Sequence, residues 1–223
     1  MIPSLAHVDS WIFDLDNSLY PHSCDLFALI DERMGAYIER LLGVDAAEAR
    51  RVQKGHFHAY GTTLAGLMAS HGVDPHEFLE FVHDIDLARV TADPVLVAAL
   101  DRLPGRKFIF TNADEGHARR VLDRLGLANA FDGMHDIHAM AYVPKPNPAA
   151  YEALCRSHAI DPSRALFADD MLRNLAPAKA LGMATLWLDN GSEQGEAPPP
   201  DFVDFRAPEM GAWLAQVLEE ELA

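Results

Sequence analysis

Trp11-Ile12-Phe13-Asp14-Leu15-Asp16-Asn17-Ser18-Leu19 is the stretch on which the reading of the chain turns. Trp11, Ile12 and Phe13 form an apolar run without polar alternation, the pattern of a short strand buried on both faces. The run stops at two acids, Asp14 and Asp16. Open α/β sheets place their ligands at the carboxyl ends of their strands, so the ends of the other strands matter next. A strand over Lys107–Thr111 ends in Thr111-Asn112. A short one around Met134–Ile137 is followed by a loop carrying Lys145 between Pro144 and Pro146. A third over Ala165–Ala168 ends in Asp169-Asp170, and a fourth covers Thr185–Leu188. Helical patterns at Val95–Leu100, Glu115–Leu125, Pro148–His158 and Leu172–Leu181 alternate with these strands. Strands alternating with helices predict the α/β class, with a doubly wound parallel sheet.

The stretch 20–91 breaks that alternation. Leu26, Leu29, Ile30, Met34, Tyr37, Ile38, Leu41 and Leu42 recur at helical steps, and Gly43 is a suitable stop. Further helices are expected over Ala46–Tyr60, over Thr63–Ser70 and after Asp74-Pro75, where proline suits a first helical turn. The expected organisation is therefore a core from 1–19 and 92–223, with a helical cap, 20–91, inserted after the first strand. The plainer alternative is a few extra helices on one core. Pro198–Pro200 reads as a linker and Met210–Leu222 as an amphipathic helix docked on the core.

Eighteen Lys+Arg against 34 Asp+Glu leave a formal charge of −16 over 223 residues. A chain this acidic lacks the basic face needed for polynucleotides or anionic membranes. Cys24 and Cys155 make no disulfide framework, the first residues lack a signal-peptide pattern, and no apolar run approaches the ~18 residues of a membrane span. A cytoplasmic protein is the expectation.

The strand ends carry four acids, one hydroxyl and one ammonium. Converging carboxylates repel one another, and Mg²⁺, a hard ion that prefers oxygen ligands, would relieve that repulsion while holding a phosphate oxygen. Asp14 could attack phosphorus. Asp16, two residues on, could protonate the leaving oxygen and then activate water. Thr111 offers a hydroxyl and Asn112 a backbone N–H to phosphoryl oxygens, and Lys145 supplies positive charge. Alone, each motif reads as a turn, a cap or a solvated loop. The ordered set points to phosphoryl transfer on a small phosphorylated substrate.

Trp11–Leu19, Phe108-Ile109-Phe110-Thr111-Asn112, Lys145-Pro146 and Phe167-Ala168-Asp169-Asp170 resemble the four ordered motifs of the haloacid-dehalogenase-type (HAD-like) hydrolases. The resemblance runs to about Asp189. It implies a Rossmann-like core with a helical cap after strand one, Asp14 as nucleophile and Asp16 as general acid/base. It also implies Mg²⁺ held by Asp14, the Asp16 carbonyl and Asp170, with Asp169 in or beside the shell. Within that superfamily the chain looks closest to the pyrimidine 5′-nucleotidase branch. The segments behind that are Asp14–Pro21, Tyr60–Leu64 with Gly66-Leu67, Val82–Asp86, and Asn174-Leu175 with Ala178-Lys179 and Leu181–Met183. Ser18 stands where threonine is commoner, and Ala168 where an acid or glycine is expected.

The expected activity is a Mg²⁺-dependent phosphomonoesterase working through an aspartyl phosphate, a pyrimidine 5′-nucleotidase acting on UMP or CMP. The alternatives are a phosphatase or phosphomutase of another small phosphometabolite, such as a sugar phosphate, and a non-catalytic phosphate-binding protein. Asp16 disfavours a dehalogenase, whose leaving group needs no proton. A signalling receiver domain would carry its acidic pair first, whereas here it comes last. Oligomeric state is left open. Cap histidines His56, His58, His71, His76 and His83 lack the spacing of a zinc motif. Tyr60, His83 and Asp84 are expected on the cap face that meets substrate.

Overall fold

A computed structural model describes residues 5–192 and 199–221. The start of the expected linker, Pro198, and the last residue of the expected tail helix, Leu222, lie outside these residues. The strands are β1 (Ser10–Phe13), β2 (Arg106–Phe110), β3 (Gly133–His135), β4 (Ala165–Asp169), β5 (Ala184–Leu188) and β6 (Phe205–Ala207). They form one parallel sheet in the order β3-β2-β1-β4-β5-β6. All four residues of β1 are buried, as a central strand covered on both faces requires. This is the α/β, Rossmann-like architecture that the strand and helix alternation predicts.

The helices are α1 (Leu26–Leu42), α2 (Ala46–Tyr60), α3 (Thr63–His71), α4 (Pro75–His83), α5 (Pro94–Arg102), α6 (Glu115–Leu125), α7 (Pro148–His158), α8 (Leu172–Ala180) and α9 (Met210–Glu221). Their starts are chemically marked. The side chains of Asp45, Thr62, Asp74, Asp93, Asp114 and Asn147 each accept a backbone N–H of the following turn. Pro75, Pro94 and Pro148 stand in first turns, where a missing N–H costs nothing. Two elements depart from expectation. Thr111 lies just past β2 rather than inside it, although its N–H still bonds His135 O at 3.1 Å. Strand β6 has no counterpart in the sequence reading; three residues are too few for alternation to register. Beyond it α9 packs on α5 so closely that a Cβ on Gly211 would lie 2.6 Å from Asp93 Oδ2 and 2.9 Å from Leu96 N.

The chain divides into two compact units, Met1–Cys24 with Arg89–Ala223, and Asp25–Ala88. Residues 20–24 and 89–91, which the sequence reading assigns to the cap, lie in the larger unit; Tyr20 and Cys24 are buried there. The smaller unit holds α1–α4. Its aromatic centre sets Tyr37 against Phe78 and Phe81 at centroid distances of 5.1 and 5.5 Å, with the Arg33 guanidinium 4.0 Å from the Phe81 ring centre. Asp31 ties α1 to α2 by accepting from Gln53, Lys54 and Arg50. Helices α2 and α3 approach at Gly66, where a Cβ would meet the His56 side chain at 2.4 Å.

Candidate active site

Register builds the site. Phe13 pairs with Ile109 on one side and Ala168 on the other, and Asp14 N–H bonds Ala168 O at 2.9 Å. One residue further, at the carboxyl ends, Asp14 therefore stands between the end of β2 and Asp169. Ala168 is fully buried against β1 and β5, so an acid at that position would sit inside the sheet's core.

Lys145 joins these ends. Its Nζ donates to Asp14 Oδ1 at 2.6 Å, Asp169 Oδ2 at 2.8 Å and Phe110 O at 2.8 Å. All three ammonium hydrogens are thus used. Asn112 fixes the loop that delivers it: its Nδ2 donates to Lys145 O at 3.1 Å, and Lys145 N–H donates to Asn112 Oδ1 at 2.9 Å. The Asn112 side chain is thereby committed to the Lys145 backbone. Thr111 Oγ1 accepts from Ala113 N at 3.0 Å and so retains its own proton for donation.

Ser18 Oγ donates to Asp14 Oδ2 at 3.0 Å. The serine in the first motif therefore holds the aspartate. Asp169 accepts from Met171 N at 2.8 Å and from Asn174 Nδ2 at 3.0 Å on each oxygen. Asp16 Oδ1 accepts from Tyr20 OH at 2.7 Å and has His117 Nε2 at 3.2 Å. Tyr20, Ser18, Asn174 and His117 carry no role in the sequence reading. The first three sit four or five residues from the acid they hold, a spacing that could have flagged them. His117 is 101 positions from Asp16, and nothing local in the sequence marks it.

Carboxylate oxygens of Asp14, Asp169 and Asp170 all lie within 4.8 Å of one another, and all three residues are buried. Burial, only partly countered by Lys145, pushes Asp14 well above the usual carboxylate range, with Asp169 and Asp170 adding to the rise. Burial and the neighbouring Asp169 push Asp170 up to about 7. Burial works to deprotonate Lys145, but Asp14 and Asp169 outweigh it and keep the ammonium charged. One ammonium cannot balance three buried carboxylates. The group offers hard oxygen donors and net negative charge, which suits a divalent ion of the Mg²⁺ kind. Among the described residues it is the one group of His, Cys, Asp or Glu arranged to hold a metal.

Tyr60, His83 and Asp84 belong to the smaller unit. Tyr60 ends α2, half exposed, with its ring 5.9 Å from that of His56. His83 is buried at the end of α4. Asp84 is exposed and pairs with Arg33 at 3.3 Å. The rings of His56 and His71 meet edge to face at 5.8 Å.

Fold and site together define an α/β enzyme with a carboxylate-rich centre at the carboxyl ends of its strands. The family model for haloacid dehalogenase-like hydrolases matches residues 9–182, and the chain belongs to that family. Phosphate metabolism protein 8 of Saccharomyces cerevisiae is 28% identical over 191 residues, 78% of this chain; the chain spans 59% of that relative's length. The phosphoglycolate phosphatase of Rhodospirillum rubrum is 29% identical over 91% of this chain and 89% of its own. Among solved structures, a HAD phosphatase from Thermococcus onnurineus superposes with a TM-score of 0.64 at 19% identity, covering 95% of this chain and 98% of that one. The L-2-haloacid dehalogenase of Xanthobacter autotrophicus gives 0.59 at 16%, covering 95% and 98%. These structural likenesses speak for the fold alone. Among the described residues no helix is long and apolar enough to cross a membrane.

Proposed function

We propose that the protein is a Mg²⁺-dependent phosphomonoesterase acting through an aspartyl phosphate on a pyrimidine 5′-nucleotide such as UMP or CMP. The observation that carries the chemistry is the buried group Asp14, Asp169 and Asp170 braced by Lys145, with Asp16 held two residues from Asp14. The phosphoglycolate phosphatase relative supports the reaction class. The sequence resemblance of Asp14–Pro21 and the neighbouring segments supports the nucleotide, with Tyr60, His83 and Asp84 as the proposed substrate contacts of a cap.

In the first step an Asp14 carboxylate oxygen attacks phosphorus and the ester P–O bond breaks. Asp16 passes its proton to the departing oxygen. In the second, Asp16 takes a proton from water, whose oxygen attacks the same phosphorus. The Asp14–phosphorus bond breaks, inorganic phosphate leaves, and Asp16 is again protonated. Thr111 Oγ, the Asn112 N–H and Lys145 meet the negative charge that grows on the phosphoryl oxygens. Mg²⁺ held by Asp14, Asp169, Asp170 and the Asp16 carbonyl would offset the charge of the carboxylates and of the phosphoryl group.

A phosphate-release screen with Mg²⁺ over nucleoside monophosphates, sugar phosphates and small phosphoacids tests this. UMP and CMP should lead by kcat/KM. A sugar phosphate or phosphoacid in the lead would overturn the nucleotide reading. Conversion of one phosphate isomer to another without phosphate release would mark a mutase.

A further inference from the structure

Asp16 does not stand free in its turn. Tyr20 OH, on a side chain only 3% exposed, lies 2.7 Å from Asp16 Oδ1, and His117 Nε2 lies 3.2 Å from the same oxygen. The two residues come from different places in the fold. Tyr20 is on the turn that follows β1, and His117 is in the first turn of α6, where Asp114 Oδ1 accepts its N–H at 2.9 Å. His117 is 1% exposed, and α6 follows the loop that carries Thr111 and Asn112. Two groups converging on one carboxylate oxygen fix the rotation of the carboxyl about its bond to Cβ. For a group that must deliver a proton to one oxygen and later collect one from water at the same spot, that rotation decides the reach.

We propose that Tyr20 and His117 are positioning residues that clamp Asp16 Oδ1 and so aim the carboxyl at the leaving oxygen. This rests on the reading of Asp16 as acid/base. It adds that the acid's aim is set from the second strand's helix as well as from its own turn. Misplacing a catalytic group by about 1 Å can cost on the order of 100-fold. The cost should fall on steps that need the proton. Loss of the clamp should therefore depend on the leaving group.

The test compares wild type with Tyr20→Phe, which removes only a hydroxyl, and with His117→Gln, which keeps an N–H donor in a buried site. His117→Ala and Asp16→Asn complete the set. Probes are 4-nitrophenyl phosphate and phenyl phosphate with saturating Mg²⁺. Tyr20→Phe and His117→Ala should lower kcat/KM, which reports the first step and not the shared attack of water, roughly 10- to 100-fold on phenyl phosphate and about threefold or less on the nitrophenyl ester. His117→Gln should recover much of the loss. In an Asp16→Asn background, Tyr20→Phe should cost nothing further on phenyl phosphate. Equal losses on both probes, with undiminished loss in the Asp16→Asn background, would overturn the clamp while leaving Asp16 in its role. If Asp16→Asn itself lowers kcat/KM equally on both probes, the acid role fails and the clamp falls with it. Should His117→Ala not fold, Tyr20→Phe alone decides between these outcomes.

Discussion

The two compact units hold their polar residues in opposite ways. At the strand ends, Asp14, Lys145 and Asp169 are buried and bonded to one another at 2.6 and 2.8 Å. In the unit Asp25–Ala88 most charged pairs lie outward: Arg33 with Asp84, Arg40 with Glu77, and Arg51 with Glu48. Buried ionic groups are expensive and strongly coupled, so removing one member is felt by all. Exposed pairs are screened and nearly independent. The core centre should therefore be brittle and the helical unit tolerant.

Substitutions at the brittle end should give the largest effects. Asp14→Asn should lower turnover at least about 10⁴-fold, some 5 kcal/mol of barrier, while circular dichroism stays as in wild type. Measurable steady-state turnover near the wild-type rate would break the contrast. Stripping Mg²⁺ with EDTA should silence hydrolysis, and added Mg²⁺ should restore it. Lys145→Met leaves Asp14 and Asp169 buried without their ammonium. Urea unfolding in the absence of divalent ions should register a loss of about 3–5 kcal/mol, and Mg²⁺ should return part of it.

How far the sequence reaches follows the same line. The acids, the hydroxyl and the lysine were legible because each terminates an apolar strand or its loop, where backbone periodicity hands over to chemistry. Helix α1 was legible from its apolar spacing and from Gly43 at its end. Three-residue β6 was not, since its place at the sheet edge is set by pairing with β5 rather than by its own pattern. The grip of His117 on Asp16 was equally hidden, because it exists only once α6 packs beside the first turn. Asn112 was read by its backbone alone, and its side chain turned out to anchor the lysine.

A smaller effect lies away from the acids. Burial, with His158 nearby, depresses His135 to about 4 from an ordinary 6.5, and its Nε2 is buried without a hydrogen-bond partner. The unfolded chain binds this proton below pH 6.5 and the folded one does not until about 4. Stability from the neutral ring is therefore present above pH 6.5 and lost as pH falls through that window. Against His135→Phe, wild type should lose on the order of 2 kcal/mol between pH 7 and 4. A constant difference across that range would contradict the assignment.

The smallest effects should come from the tolerant unit. Asp84→Ala should change stability by no more than about 0.5 kcal/mol, since its pair with Arg33 is exposed. Tyr60→Ala should raise KM for UMP while leaving kcat on 4-nitrophenyl phosphate within about twofold, as loss of uniform binding does. Equal losses on both substrates would remove Tyr60 from the recognition surface.

The most direct measurement follows the phosphoryl group itself. Enzyme mixed with substrate and Mg²⁺, quenched in acid within one turnover, can be digested and its peptides weighed. A phosphoryl group should appear on the peptide containing Asp14, rise before free phosphate does, and be absent from Asp14→Asn. Free phosphate released at the full rate with no phosphoryl group ever on that peptide would contradict the account.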